Sequence, residues 1–319
     1  MRTRRRSGYR PAVFVAALLL ASPVFARGET PETSALTALR DQDRRVLTVG
    51  WRMAEAAADL CASVARPGLG WNLHALSQYR AGLRPAARRV FGLEPGRLGV
   101  LAVARDGPAD QAGIRADDLV LSVGDALLDV DEGGQALTQA GDFAQVERAL
   151  SQVEMAVADA PVAVRLARRG EILVVTVQPR RHCPWPVQVI PSDDFAATAD
   201  GRHISITSRL STFAESDDDL AFLLGHEMGH NLRRPDRPDH RTRSIARELE
   251  ADRIGLILAA RAGYDTAKVP EFVELLARRA APISALLRFV PGSVSRIRLL
   301  RQTEAWIQAE RLAGRPLTP

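Results

Sequence analysis

Lysine is almost missing. Lys268 is the single lysine among 43 basic residues. A bias this complete is read as genomic composition, and it points to no function. Cysteine is scarce as well, with two in 319 residues, which excludes a cysteine-built zinc site. In an oxidising compartment Cys61 and Cys183 are a candidate disulfide, with two buried thiols as the alternative. Low-complexity tracts are absent, and 46% hydrophobic with 25% charged residues is a globular composition. The length suggests two domains rather than one core.

Acid is missing from the first 26 residues, which hold Arg2, Arg4, Arg5, Arg6 and Arg10. These five account for the whole formal charge of +5, so the remainder is neutral and a nucleic-acid partner is excluded. The basic start precedes the ten-residue apolar run Ala12–Ala21, then Ser22-Pro23 and Val24-Phe25-Ala26. That order is an export signal, with cleavage expected after Ala26. Ten apolar residues are half of the roughly 20 that a membrane span needs, so an N-terminal anchor is only the alternative. No other stretch is long and apolar enough for a membrane helix. The expectation is a soluble periplasmic protein, with peripheral association with the envelope still open.

Helical periodicity predicts a long helix over 33–66, stopped by Pro67-Gly68, and then a connector to about residue 88. Residues 90–178 read differently. Leu98–Ala104 is a strand, and "DGPADQAGIRADDLVLSVGD" (106–125) is a turn, a short helix and the strand Leu119–Val123. Phe143–Met155 is an amphipathic helix, and Val162–Ala167 with Ile172–Val177 form a hairpin around Arg169-Gly170. A Pro-rich joint, "PRRHCPWPV" (179–187), leads to strands at Val187–Ile190 and His203–Ile206. Helices follow from Ser216, from about Thr242 to Ala262, from near Pro270, and from about Ser293 to Leu312.

The chemistry gathers at "HEMGH", residues 226–230. Positions four apart share a helix face, so His226 and His230 can offer two imidazole nitrogens to one zinc ion. Glu227 is then placed to take a proton from water, whose pKa zinc lowers to about 7. The third ligand is sought on a second helix, and "RELEADRIG" (247–255) supplies Glu248 at 18 residues past His230. Asp252 shares the face of Glu248 and is placed to hold the far ring nitrogen of a ligand histidine, His226 first. Glu250 falls on another face and His240 in a charged loop, both in solvent.

Two resemblances follow from these motifs. "GPADQAGIRADDLVLSV" and the surrounding order resemble PDZ domains of bacterial exported proteases, over about 90 residues. The resemblance implies a groove between the Leu98–Ala104 strand and the Phe143–Met155 helix. There a peptide terminus or extended segment adds as a strand along Leu98, Gly99 and Val100. "LAFLLGHEMGHN" with "ELEADRIGLILAARAGYD" resembles the zinc metallopeptidases of the CAAX prenyl protease, HtpX and BepA type, over about 185–305. That implies Glu248 as third ligand, Asp252 behind it, and one Zn2+ per chain. It also implies substrate binding along the edge of the His203–Ile206 strand. Two departures stand out: Asp193 and Val290 occupy places where the family carries Asn and His. Arg296 keeps the family's arginine, either to stabilise the oxyanion as a catalytic residue or to pair with Asp252.

The resulting expectation is an α+β chain: signal 1–26, N-terminal helical region 27–89, PDZ-like domain 90–180 and mainly helical metallopeptidase domain 181–319 with a small sheet. The function expected is a zinc endopeptidase acting on envelope proteins in quality control. The alternative is a PDZ-bearing chaperone or adaptor with a structural or vestigial zinc site.

Overall fold

The computed structural model describes residues 30–128, 143–233, 244–287 and 293–319. The expected signal with its cut after Ala26, the loop holding His240, and Val290 lie outside the described residues.

The first helix, α1 (Pro31–Ala56), starts where Thr30 and Thr33 cap each other reciprocally and Pro31 fills the first turn. It ends ten residues before the expected stop at 66. Residues after Ala56 make short-range turns, with Leu60 and Cys61 N–H groups both bonded to Ala57 O, and this bend carries Cys61 to Cys183. The two sulfurs are joined in a disulfide.

Next come β1 (Arg66–Gly68), β2 (Trp71–Ala75), α2 (Arg84–Phe91), β3 (Leu98–Val103), α3 (Pro108–Gln111), β4 (Leu119–Val123) and β5 (Ala126–Leu127). They are followed by α4 (Phe143–Ala156), β6 (Val162–Arg168) and β7 (Glu171–Val177). One antiparallel sheet runs in the order β2-β3-β4-β6-β7, with β5 attached to β4. The β6–β7 turn needs positive φ at both Arg169 (53°) and Gly170 (85°), which is why glycine stands there. Leu73, Ala75, Leu98, Val100, Val120, Val164 and Leu166 pack with Val146, Ala149 and Val153 of α4 in one core. A second, smaller cluster joins Leu36 of α1 to Phe91, Leu93 and Leu119.

The sheet therefore begins at Trp71, inside the stretch expected to be an N-terminal helical region. Its five residues hold too little alternation to read as a strand; long-range pairing with β3 makes them one.

The chain continues through β8 (Arg180–His182), β9 (Val187–Ile190), β10 (Ala197–Ala199), β11 (Ile204–Thr207), α5 (Ser208–Phe213), α6 (Asp217–Arg233), α7 (Ile245–Arg261), α8 (Val269–Leu287) and α9 (Ser293–Leu312). β9, β11 and β10 form a three-stranded sheet with β11 in the middle. α1 belongs to this half as much as to the other. Its Val46, Val49, Trp51 and Met53 share one core with Val187, Ile206, Leu220, Leu224, Ile257 and Leu300. Gly50 lets β9 approach, since a Cβ there would fall 2.8 Å from Val187 Cγ2.

Candidate metal centre

α6 forms because Ser216 accepts the Asp219 N–H at 3.0 Å and three aspartates occupy the positive end of the helix dipole. From Leu220 to Gly229 every residue is buried, because α1, α7 and the small sheet surround it. α7 starts at Ser244, whose side chain accepts the Arg247 N–H.

The crossing of these two helices brings His226, His230 and Glu248 together, with one ligand atom of each within 4.8 Å of the others. His226 Nε2 lies 3.2 Å from His230 Nε2 and 3.3 Å from Glu248 Oε2. His230 Nε2 is 3.8 Å from Glu248 Oε1. Glu248 Oε1 is buried with no hydrogen-bond partner among the described residues. A buried carboxylate oxygen without a hydrogen bond, beside two histidine nitrogens turned to the same point, is an unusual arrangement for protein groups alone. A cation with nitrogen and oxygen ligands satisfies all three at once, and the donor set suits zinc with an open position.

Behind the ligands, Asp252 Oδ1 accepts from His226 Nδ1 at 2.9 Å. With the proton on Nδ1, the His226 Nε2 lone pair points to the site. Asp252 is fully buried and is gripped on its other side by Arg296, Nε to Oδ2 at 2.6 Å and Nη2 to Oδ1 at 2.7 Å. The pairing with Asp252 is one of the two roles open to Arg296, and the geometry shows it formed. A bidentate fork held in one buried carboxylate is oriented by it.

The charges respond to this crowding. Burial alone would lower the His226 pKa, but hydrogen bonds to Asp252 and Glu248 raise it to about 9. Burial pushes Glu248 up, and the hydrogen bond and charge of His226, with His230 and Arg296, pull it down to about 2. Asp252 is likewise held below the usual carboxylate range: its His226 and Arg296 hydrogen bonds outweigh burial. A metal ion held here would displace a proton from His226 and meet an ionised Glu248. Glu227, 3% exposed, sits beside the ligands on α6.

Two residue sets differ from expectation. Leu98, Gly99 and Val100 do not border a groove. They pair with Ala75, His74 and Leu73 of β2 on one side, and β4 occupies the other, so no edge remains for an added strand. Leu98 and Val100 are fully buried. The strand before the HEMGH helix is likewise not an edge. β11 is flanked by β9 and β10. The outer side of β9 is capped as well, since Asn72 Nδ2 donates to Val187 O at 3.1 Å and Val189 N donates to Asp43 Oδ1 at 3.1 Å. The remaining edge is β10, which starts within the "DFAAT" stretch that sequence periodicity passes over. Asn231, next to His230, fixes that hairpin to α6 by accepting the Gly201 N–H at 2.9 Å. A polar residue on a buried helix face was the signal for it. Asp193 lies exposed in the loop before β10.

Among known proteins, the sequence model described as Peptidase family M48 matches residues 163–238, about a quarter of the chain. The matched stretch includes His226, Glu227 and His230 and ends before Glu248. The match supports a metallopeptidase. No curated protein matches. Among solved structures, the HtrA-type protease AlgW with a decapeptide is similar at 21% identity and a TM-score of 0.27, over 38% of this chain and 31% of that one. A variant of the same protease with the decapeptide is similar at 19% identity and a TM-score of 0.26, over 41% and 33%. The chain spans about a third of the length of those proteases.

Proposed function

We propose, from the match to peptidase family M48 together with the ligand geometry, that this protein is a zinc-dependent endopeptidase of exported proteins. The observation that carries the reading is the convergence of His226, His230 and the orphaned Glu248 oxygen beside buried Glu227. His226, His230 and Glu248 hold the ion, and Asp252, oriented by Arg296, fixes the tautomer of His226. Zinc, when bound, supplies a Lewis acid that polarises the scissile carbonyl and acidifies water. Glu227 accepts the proton of the attacking water and returns it to the leaving amine.

Substrate backbone is assigned to β10. Thr207 N donates to Ala196 O and Asp200 N to His203 O, so residues 196, 198 and 200 face β11. By strand alternation Ala197 and Ala199 turn their N–H and C=O groups outward, where an extended peptide can pair. Peptide capture by the PDZ-like sheet moves to β2, its end strand, which shares a core with α4. The export-signal pattern of residues 1–26 supports a periplasmic place for the activity. The physiological role proposed is quality control of envelope proteins. No helix among the described residues is long and apolar enough to cross a membrane.

The test compares the exported protein with Glu227→Gln for bound zinc and for cleavage of an unfolded protein such as casein. One zinc per chain in both, with cleavage lost in the variant by at least about a hundred-fold, is expected. Zinc without cleavage in either favours a PDZ-bearing chaperone or adaptor. No zinc in either removes the peptidase reading.

A further inference from the structure

Gly225 precedes His226 and Gly255 follows Asp252 by three residues, and these two glycines touch where α6 crosses α7. A Cβ added at Gly225 would fall 2.7 Å from Gly255 O and 2.8 Å from Met53 Cε. A Cβ added at Gly255 would fall 2.5 Å from His226 N and 2.8 Å from Gly225 C. One turn along, a Cβ at Gly229 would meet Ala251 Cα and O, both at 3.2 Å. Met53 Cε apart, these obstacles are backbone atoms, so neither helix can swing a side chain out of the way.

Ordinary helix pairs pack 8–10 Å apart, at a distance set by their side chains. Here the backbones meet directly, and the ligand chemistry depends on it. Aspartate has the shortest charged side chain, yet Asp252 spans from α7 to His226 Nδ1 at 2.9 Å. Glu248, one turn earlier, reaches His226 Nε2 at 3.3 Å, and its other oxygen is the orphan that points to a metal. Gly225 and Gly229 lie on the face of α6 adjoining His226 and His230, while Gly255 shares the α7 face of Glu248 and Asp252, so the glycines shape the site without carrying a ligand atom.

We propose that Gly225 and Gly255 are positioning residues of the metal centre. Their contact sets the helix separation at which Asp252 locks His226 and Glu248 shares one ion with both histidines. The proposal rests on the metallopeptidase reading. It goes further in locating the geometric control of the site in two residues that carry no ligand atom.

Zinc affinity of the full exported protein, measured by chelator competition, tests this, together with the visible absorption of its cobalt(II) form. Gly255→Ala should weaken zinc binding about ten- to a hundred-fold, the range typical of lost support behind a metal ligand. It should also shift the cobalt bands. Gly229→Ala, whose obstacles lie farther off, should show the same changes to a lesser degree, and it carries the test if Gly255→Ala does not fold. Gly50→Ala is the control. Its Cβ also meets a neighbour, Val187 at 2.8 Å, but at the contact of α1 with β9 rather than at the α6–α7 crossing. It should lower stability and leave zinc affinity and the cobalt spectrum unchanged. Wild-type affinity in both site-side variants, or an equal loss in Gly50→Ala, overturns the proposal while leaving the peptidase reading intact. A wild-type protein that binds no zinc overturns both.

Discussion

At the scale of single residues, buried charge is informative where it has a partner and where it lacks one. Arg296 and Asp252 form a buried pair with two short hydrogen bonds. Removing the arginine leaves a buried carboxylate with His226 as its remaining partner among the described residues, at a cost on the order of 3–5 kcal/mol. Arg296→Ala should therefore lower stability by about that amount and weaken zinc binding roughly ten-fold through His226. A direct role at the oxyanion predicts the opposite split, a fall in kcat with zinc affinity unchanged, so measuring both decides between them. Asp43 is the contrasting case. Burial raises its pKa from 3.8 to about 6, opposed only by the Val189 N–H. Between those pH values the folded protein keeps a proton that the unfolded chain has lost. Stability then falls as pH rises through the window, by about 3 kcal/mol in all, and stays lower above it. Asp43→Asn can still accept the Val189 N–H through its amide oxygen. Urea unfolding from pH 3.5 to 8 should show this loss in the wild type, and its difference from the variant should be flat if Asp43 is not its source.

At the scale of elements, the value of β10 is its outward-facing backbone. Proline at position 199 removes one outward N–H and no ladder bond, a position where edge strands tolerate it. Ala199→Pro should lower kcat/KM by about ten-fold, the worth of one hydrogen bond, while zinc content and unfolding stay near wild type. Unchanged kcat/KM would remove β10 from the substrate path.

Much of this half is legible in the sequence because helical spacing is local. HEMGH, the Glu248–Asp252 pair and the span of α9 from Ser293 to Leu312 follow from positions three and four apart. Strand order is not local. Nothing in Trp71–Ala75 announces that it pairs with Leu98–Val103, so the sequence reading takes an interior strand for an end strand. Similarly, Ala197–Ala199 has no apolar alternation, and only its pairing with Ile204–Ile206 defines it as a strand. The role of Arg296 stayed open for the same reason: Asp252 is 44 residues away in sequence.

At the scale of the whole molecule, α1 is common to both sheets, and the disulfide closes what it begins. Cys61 and Cys183 are 122 residues apart, and the entire six-stranded sheet, from Trp71 to Val177, lies between them. Both exits from that sheet are therefore pinned at the C-terminal end of α1, where Cys183 N also donates to Ala54 O at 3.0 Å. Closing so long a loop restricts the unfolded chain, and losing such a bond costs about 2–5 kcal/mol. The metal ligands lie outside the loop, on α6 and α7. Replacing both cysteines with alanine should thus lower the denaturant midpoint and speed amide exchange in the β2–β7 sheet, with zinc affinity unchanged. Should zinc affinity fall in step with stability, the sheet and the metal centre share one cooperative unit through α1. Capture at β2 would then be energetically coupled to the chemistry at Glu227, rather than linked to it only by the continuity of the chain.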